Sequence, residues 1–481
     1  MIALIKKNNP ASIIPEVLLT LSVLFQLFNI VFNLVFTKDS INYAMYINNY
    51  IIGFLIIICL AAKGAGDHFL ALAFFSCYML FLMGQKPFEP EYNVYLTFTR
   101  VELDTKKYFL FSSILFIGLT TTYYSYLLFS SKKRNNKDRG IEKQINYQNL
   151  KPILAFLLAL TIPCALYMQG KIVLVRSSMS YTSGYLVNVD VPAVFKIGYY
   201  IFSTVILLYL ALKPTKRQLL IVLAFYLLIE GGMQLFQGRR ALFASTLFFL
   251  IWYLLKYYNI RRIRGKTFLR VLIILIALTV VFFVVEQARD SNSTNLSFKL
   301  VRKLLVSTGG SDSVIANTIF RKDQFPKSGI TYLLDPFINN PIGNILLGKK
   351  SVPQGLEYLQ LHNSFSHWLS YLTEPSLYLS GHGMGSCYLA ESYLAFGLPG
   401  VLLISIMLGW VINKLDSFQF NKNPFVIGFV FFLVRRIFTL PRDSLFSWVS
   451  SSVYLIFTYM LLLPFFLYYC QREKKVDEAK G

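Results

Sequence analysis

Long apolar stretches, each closed by a short polar break, repeat from one end of the chain to the other. A helix needs about twenty such residues to cross the ~30 Å hydrocarbon core of a bilayer. Windows of that kind fall near residues 13–36, 43–62, 68–84, 109–130, 152–170, 196–212, 219–237, 241–258, 268–286, 389–412, 424–440 and 446–469. The pattern predicts an all-α integral membrane protein of about twelve transmembrane helices, folded as a single polytopic domain over residues 1–481. Lys6 and Lys7 precede a first apolar segment too long for a signal-peptide core, which reads as a retained anchor.

One polar break is much longer than the rest. Residues 287–388, between the ninth and tenth windows, form one large, partly helical extracytoplasmic loop in this reading. Loops of that length are usually functional. Lys299 to Val306 mixes basic residues with Leu300, Val301, Leu304 and Leu305, as expected of a helix lying in the lipid interface. Over 358–372, Tyr358, Leu361, Phe365, Trp368 and Leu372 recur at 3,4,3,4 spacing and predict one continuous apolar helix stripe. His362 and His367 flank it. Five residues turn a helix by about 140°, so on an unbroken helix the two rings point apart and hold no metal together.

Charge sets the expected orientation. The formal net charge is +23, and in a membrane protein Lys and Arg report topology and contact with anionic headgroups. With the N-terminus inside, Lys132-Lys133-Arg134, Lys213 to Arg217, Arg261 to Lys266 and Arg472 to Lys475 all face the cytoplasm. The positive-inside rule requires this, and an even number of spans returns the C-terminus to the same side. Membrane lipids are therefore partners, whereas no tract interleaves basic and aromatic residues outside the spans as a nucleic-acid binder would. The five cysteines (Cys59, Cys77, Cys164, Cys387, Cys470) sit mostly inside apolar windows and form neither a disulfide framework nor a metal-spaced cluster. The cytoplasmic loops are short, with no glycine-rich phosphate loop and no Asp-x-Asp metal pair, which excludes a nucleotide-sugar domain on that face.

The candidate chemistry lies on the other side. Gly238-Arg239-Arg240 forms a tight outer connection, Arg289 follows the ninth window, and Arg435, Arg436 and Arg442 surround the last outer turn. A single arginine there can simply snorkel to headgroups. As a group, their planar donor forks suit phosphate oxygens and would hold a lipid diphosphate without metal. Glu230 lies well inside the seventh window beside Gly231 and Gly232, and is either a site residue or a carboxylate satisfied by a neighbouring span. Of four histidines, His362, His367 and His382 fall within the large loop. Each could be a hydrogen-bonded structural residue, or one could be a base poised near neutral pH. Gly381-His382-Gly383-Met384-Gly385-Ser386 leads into the tenth window, where alternate glycines let the backbone approach a ligand or a neighbouring helix.

In their order along the C-terminal half, these segments resemble the signature of the Wzy-type O-antigen and capsular polysaccharide repeat-unit polymerase family. The elements are Gly238-Arg239-Arg240, then Thr308-Gly309-Gly310-Ser311 with Phe325-Pro326, Tyr332 and Asp335-Pro336, and Ser366-His367-Trp368-Leu369-Ser370-Tyr371 ahead of Pro375. Gly381 to Gly400, with Leu389-Ala390-Glu391 and Phe396-Gly397-Leu398-Pro399-Gly400, and the terminal Pro441-Arg442-Asp443-Ser444 complete the set. Cys387 departs from it, standing where the family pattern favours a second Ser.

The resemblance implies a glycosyltransferase of the bacterial cytoplasmic (inner) membrane, needing no metal and no cofactor, that joins polyprenyl-diphosphate-linked oligosaccharides. An acceptor hydroxyl attacks the anomeric carbon and lipid diphosphate leaves, which asks for cations on the diphosphate and a base on the hydroxyl. On that reading Arg239, Arg240, Arg289 and Arg442 bind the diphosphate, with Arg240 and Arg442 in the catalytic set. His367 is the base or orients the acceptor, and Glu391 is its partner or a competing base. Gly381, Gly383, Gly385 and Ser386 supply the backbone motif. A chain-length regulator and a flippase are candidate partners. Two other functions fit parts of the pattern: a glycan ligase with a lipid-diphosphate donor, and a flippase or transporter. The transporter calls for polar broken helices at mid-membrane in both halves, where this sequence places its polar density at the outer edge.

Overall fold

A computed structural model describes residues 10–36, 39–84, 104–131, 147–177, 189–237, 239–260, 310–346, 352–418, 420 and 423–478, and no strand occurs among them. The first part contains α1 (Pro10–Val35), α2 (Asp39–Gly64), α3 (Phe69–Met83), α4 (Thr105–Ser131), α5 (Lys151–Ser177) and α6 (Ala193–Ala211). It continues with α7 (Lys216–Phe236) and α8 (Arg240–Tyr257). The large loop contributes the short helices α9 (Asp312–Arg321), α10 (Gly329–Leu333), α11 (Asp335–Ile338), α12 (Pro341–Leu346), α13 (Leu356–Leu361), α14 (Phe365–Thr373) and α15 (Pro375–Leu379). The chain closes with α16 (Tyr388–Asp416), α17 (Pro424–Ile437) and α18 (Ser447–Glu478).

Among the described residues, seven helices are long and apolar enough to cross a membrane, and Phe69–Met83 and Ala241–Tyr257 are shorter apolar helices. Every expected span except the ninth coincides with a helix. The ninth, 268–286, lies outside the described residues, as do Lys299 to Val306 and most of 131–151.

The helices form two groups. α1, α2, α3, α4 and α16 pack together, and α5 to α8 pack with α17 and α18. α3 touches α8, and α16 touches α17, which joins the groups. α3 is apolar on all sides and buried at nearly every position, as a central helix must be. Its first free amides, on Leu70 and Ala71, donate to the Asp416 carboxylate of α16 at 3.0 and 3.2 Å, which caps the helix end. α16 and α4 approach closely because Gly409 lies against the backbone of Thr122 and Tyr126. Ser125 Oγ and Asn413 Nδ2 then bridge to backbone carbonyls across the seam at 2.8 and 3.1 Å.

A buried amide ladder runs between α1, α2 and α4. Asn48 Nδ2 donates to Gln26 Oε1 at 2.8 Å, Gln26 Nε2 to Asn49 Oδ1 at 3.1 Å, and Asn49 Nδ2 to the Ser112 carbonyl at 3.0 Å. Asn33 reaches Asn42, whose own amide donates to the Thr105 carbonyl at 2.8 Å. Intramembrane side-chain bonds of this kind contribute about 0.6–2 kcal/mol each. The expectation that polar groups collect at the outer edge therefore needs correcting, since in the N-terminal half they reach into the helices. α1 and α2 are nonetheless unbroken. Among the described residues, α7 is interrupted by a π-helical turn at Leu227–Gly232 and α16 is kinked at Gly397.

Candidate functional site

The loop helices carry a further correction. Residues 358–372 are not one helix: α13 ends at Leu361, and His362 adopts extended backbone (φ −125°, ψ 145°). The break has a partner, because the Asn363 N–H donates to the Asp335 carboxylate at 2.8 Å. With the helix broken, the two histidines no longer point apart. The Tyr358 ring centre lies 4.4 Å from that of His362 and 4.2 Å from that of His367. His367 Nδ1 is 3.1 Å from the Tyr378 hydroxyl. Burial, helped by His362, lowers the His367 imidazole to about 4, so it is neutral at pH 7. Among the described residues no group of three or more His, Cys, Asp or Glu could hold a metal ion.

The glycine segment follows Tyr378 of this aromatic cluster directly in the chain. Gly381 and Gly385 take φ of 94° and 80°, which only glycine adopts without strain. Gln354 Nε2 donates to the carbonyls of Tyr378 and His382 at 2.7 and 2.8 Å, and Met384 N–H donates to Ser370 Oγ at 3.0 Å. Gly383 lies between these anchors, and Ser386 is buried just before α16.

Glu391 is 2% exposed in the first turn of α16. Its carboxylate accepts three bonds: Ser386 Oγ at 2.7 Å, Ser444 Oγ at 3.0 Å and Leu445 N–H at 3.0 Å. It thereby joins the glycine segment to the Pro441-Arg442-Asp443-Ser444 turn, which lies more than fifty residues further on. The kink at Gly397 (φ 67°, ψ −154°) sets the direction of this first part of α16, in a backbone region essentially restricted to glycine. No hydrogen bond joins Glu391 to His367, so the structure does not bring those two candidates together.

In the turn itself Arg442 is exposed. Asp443 accepts from Ser444 N–H at 2.8 Å and Ser447 Oγ at 3.0 Å. Burial pushes the Asp443 carboxyl up, with Arg436 acting against that shift. Arg239 is half-buried at the N-cap of α8, and its N–H donates to the Gln234 carbonyl at 2.9 Å. Arg240 opens α8, but its side chain, like Gly238 and Arg289, lies outside the described residues.

The partner of Glu230 was not foreseeable from sequence. Glu230 is 2% exposed in the π-helical turn and pairs with Arg435 Nη2 at 2.6 Å. Ser203 Oγ also donates to it, and the Arg435 guanidinium lies 5.6 Å from the centre of the Tyr226 ring. Gln234 and Gln237 continue this buried side of α7, and Gln237 Nε2 donates to Gln169 Oε1 at 2.6 Å. Arg436, one residue on, donates to Ser451 Oγ at 2.6 Å. The only warning in the sequence was the Arg435-Arg436 doublet at the end of an apolar window.

These features define a polytopic helical membrane protein in which the glycine segment and the 441–444 turn meet at Glu391. The chain matches the family described as O-antigen polysaccharide polymerase Wzy over residues 17–474, nearly its whole length, and belongs to that family. No curated protein and no solved structure matches it. Family membership makes this a multi-pass membrane protein with a polysaccharide polymerase role, acting on lipid-linked oligosaccharide repeat units.

Proposed function

We propose that the chain transfers the growing glycan from its polyprenyl diphosphate to an acceptor hydroxyl of the incoming lipid-linked repeat unit, on the outer face of the cytoplasmic membrane. The new bond joins the acceptor oxygen to the anomeric carbon, the bond from that carbon to the diphosphate breaks, and the acceptor proton passes to a base. The observation that carries this reading is the Glu391 junction, which ties Ser386 of the glycine segment to the Arg442-bearing turn. Both segments are among those that resemble the family signature.

Arg442 of this turn, together with Arg239, Arg240 and Arg289, is assigned to the leaving diphosphate, where a preorganised cation stabilises developing charge without metal. His367 is neutral at working pH and can accept or orient the acceptor proton. Glu391 acts as a positioning residue, holding the glycine segment and the turn in register. The positive clusters support cytoplasmic termini with 287–388 outside. Product length tests the reading: a polymerase makes a ladder of glycan lengths, whereas a ligase makes one discrete transfer.

A further inference from the structure

The last turn of α17 carries two consecutive arginines in different circumstances. Neighbouring residues on a helix point about 100° apart, so each meets its own surroundings. Arg435 is neutralised by Glu230 at 2.6 Å and faces the Tyr226 ring. Arg436 is only part-exposed, and its side-chain contacts are a neutral hydroxyl, Ser451 Oγ at 2.6 Å, and the Phe432 ring at 5.6 Å. Among the described residues no carboxylate forms an ion pair with it. Asp443 acts on it through space, but both Asp443 oxygens are already taken by Ser444 N–H and Ser447 Oγ. A guanidinium held in this way keeps unused donors with no carboxylate in contact, which favours an anion beside it.

We infer that Arg436 is an anion-binding residue of this site and that its ligand is the diphosphate of the lipid-linked donor. The planar fork fits two phosphate oxygens side by side. Its position suits a ligand arriving from the bilayer, because α17 and α18 supply apolar walls and the Arg442 turn lies directly beyond its helix. Glu230 has a complementary role: by neutralising Arg435 it leaves a single unpaired guanidinium at this point. The inference rests on the polymerase reading and deepens it.

The test uses the purified full-length chain in lipid nanodiscs, with binding measured for polyprenyl diphosphate, polyprenyl monophosphate and inorganic pyrophosphate. Wild type should bind polyprenyl diphosphate most tightly. Arg436→Gln should weaken that binding at least tenfold, and Arg436→Lys, which keeps the charge but not the fork, at least threefold, with thermal unfolding temperatures unchanged. If Arg436→Gln fails to fold, the Lys variant alone decides. Unchanged affinity in the folded variants, while wild type still makes a glycan ladder, overturns this inference and leaves the polymerase reading standing. Inorganic pyrophosphate binding as tightly as the lipid form overturns the lipid source of the anion. A wild-type protein that binds no polyprenyl diphosphate and makes no ladder overturns both.

Discussion

Replacing Glu391 separates positioning from proton transfer. In Glu391→Ala the Leu445 N–H loses its acceptor and, lying in backbone, cannot turn to another, which costs about 1–3 kcal/mol. The Ser386 and Ser444 hydroxyls lose about 1 kcal/mol each. With the void left by the side chain, the junction weakens by roughly 3–6 kcal/mol, enough to free the glycine segment from the turn. Glu391→Gln keeps the shape. Its oxygen can serve Leu445 N–H and Ser444, while its amide N–H₂ meets Ser386, whose hydroxyl can rotate to accept. That leaves a loss of about 1 kcal/mol. The assay is the glycan-length ladder from cells, with protein level and thermal unfolding measured in the same membranes. A positioning role predicts substantial polymer from the Gln variant and almost none from Ala. If Gln were as inactive as Ala while fully made and equally stable as wild type, the carboxylate would be transferring protons, and the positioning argument would be wrong.

Three further outcomes are expected. Arg240→Lys and Arg442→Lys should each lose most polymer while inserting normally, since losing one donor to developing charge typically costs a hundredfold to a thousandfold in rate; full ladders from both would return these residues to headgroup contact. For His367, the folded value near 4 lies below the ordinary value near 6.5, so between them the unfolded chain binds a proton that the folded chain does not. Stability is therefore full above about pH 6.5 and lost as pH falls toward 4; the drop in unfolding temperature from pH 7 to 4.5 should shrink in His367→Gln, and identical pH profiles would contradict it. A cysteine placed at Ser328 in a chain stripped of its own cysteines should react with an impermeant reagent in intact cells, and labelling only after lysis would reverse the proposed orientation.

How far the sequence could be read depended on the range of each interaction. The spans that the structure describes were legible because twenty apolar residues in a row have few alternatives, and the ordered motifs pointed to the family that nearly the whole chain matches. The break after Leu361 was not legible, because the stripe through Tyr358 and Trp368 continues in sequence while the hydrogen bond that interrupts it comes from Asp335, 28 residues earlier. Glu230 was visible as a costly intramembrane carboxylate, but its partner Arg435 stands 205 residues away. The amides at Gln26, Asn48 and Asn49 were hidden by averaging over apolar windows. Glu391 was singled out from its motif, yet the Ser444 and Leu445 contacts that explain its burial join segments that only folding brings together.

Polymerisation itself is tested by reconstituting the purified chain in proteoliposomes with a single polyprenyl-diphosphate-linked repeat unit as the only substrate, in excess chelator. A polymerase should give a ladder of glycan lengths, with one polyprenyl diphosphate released for each bond formed. A single transfer product, translocation of the lipid-linked unit without bond formation, or activity that returns only with added magnesium or manganese would contradict it.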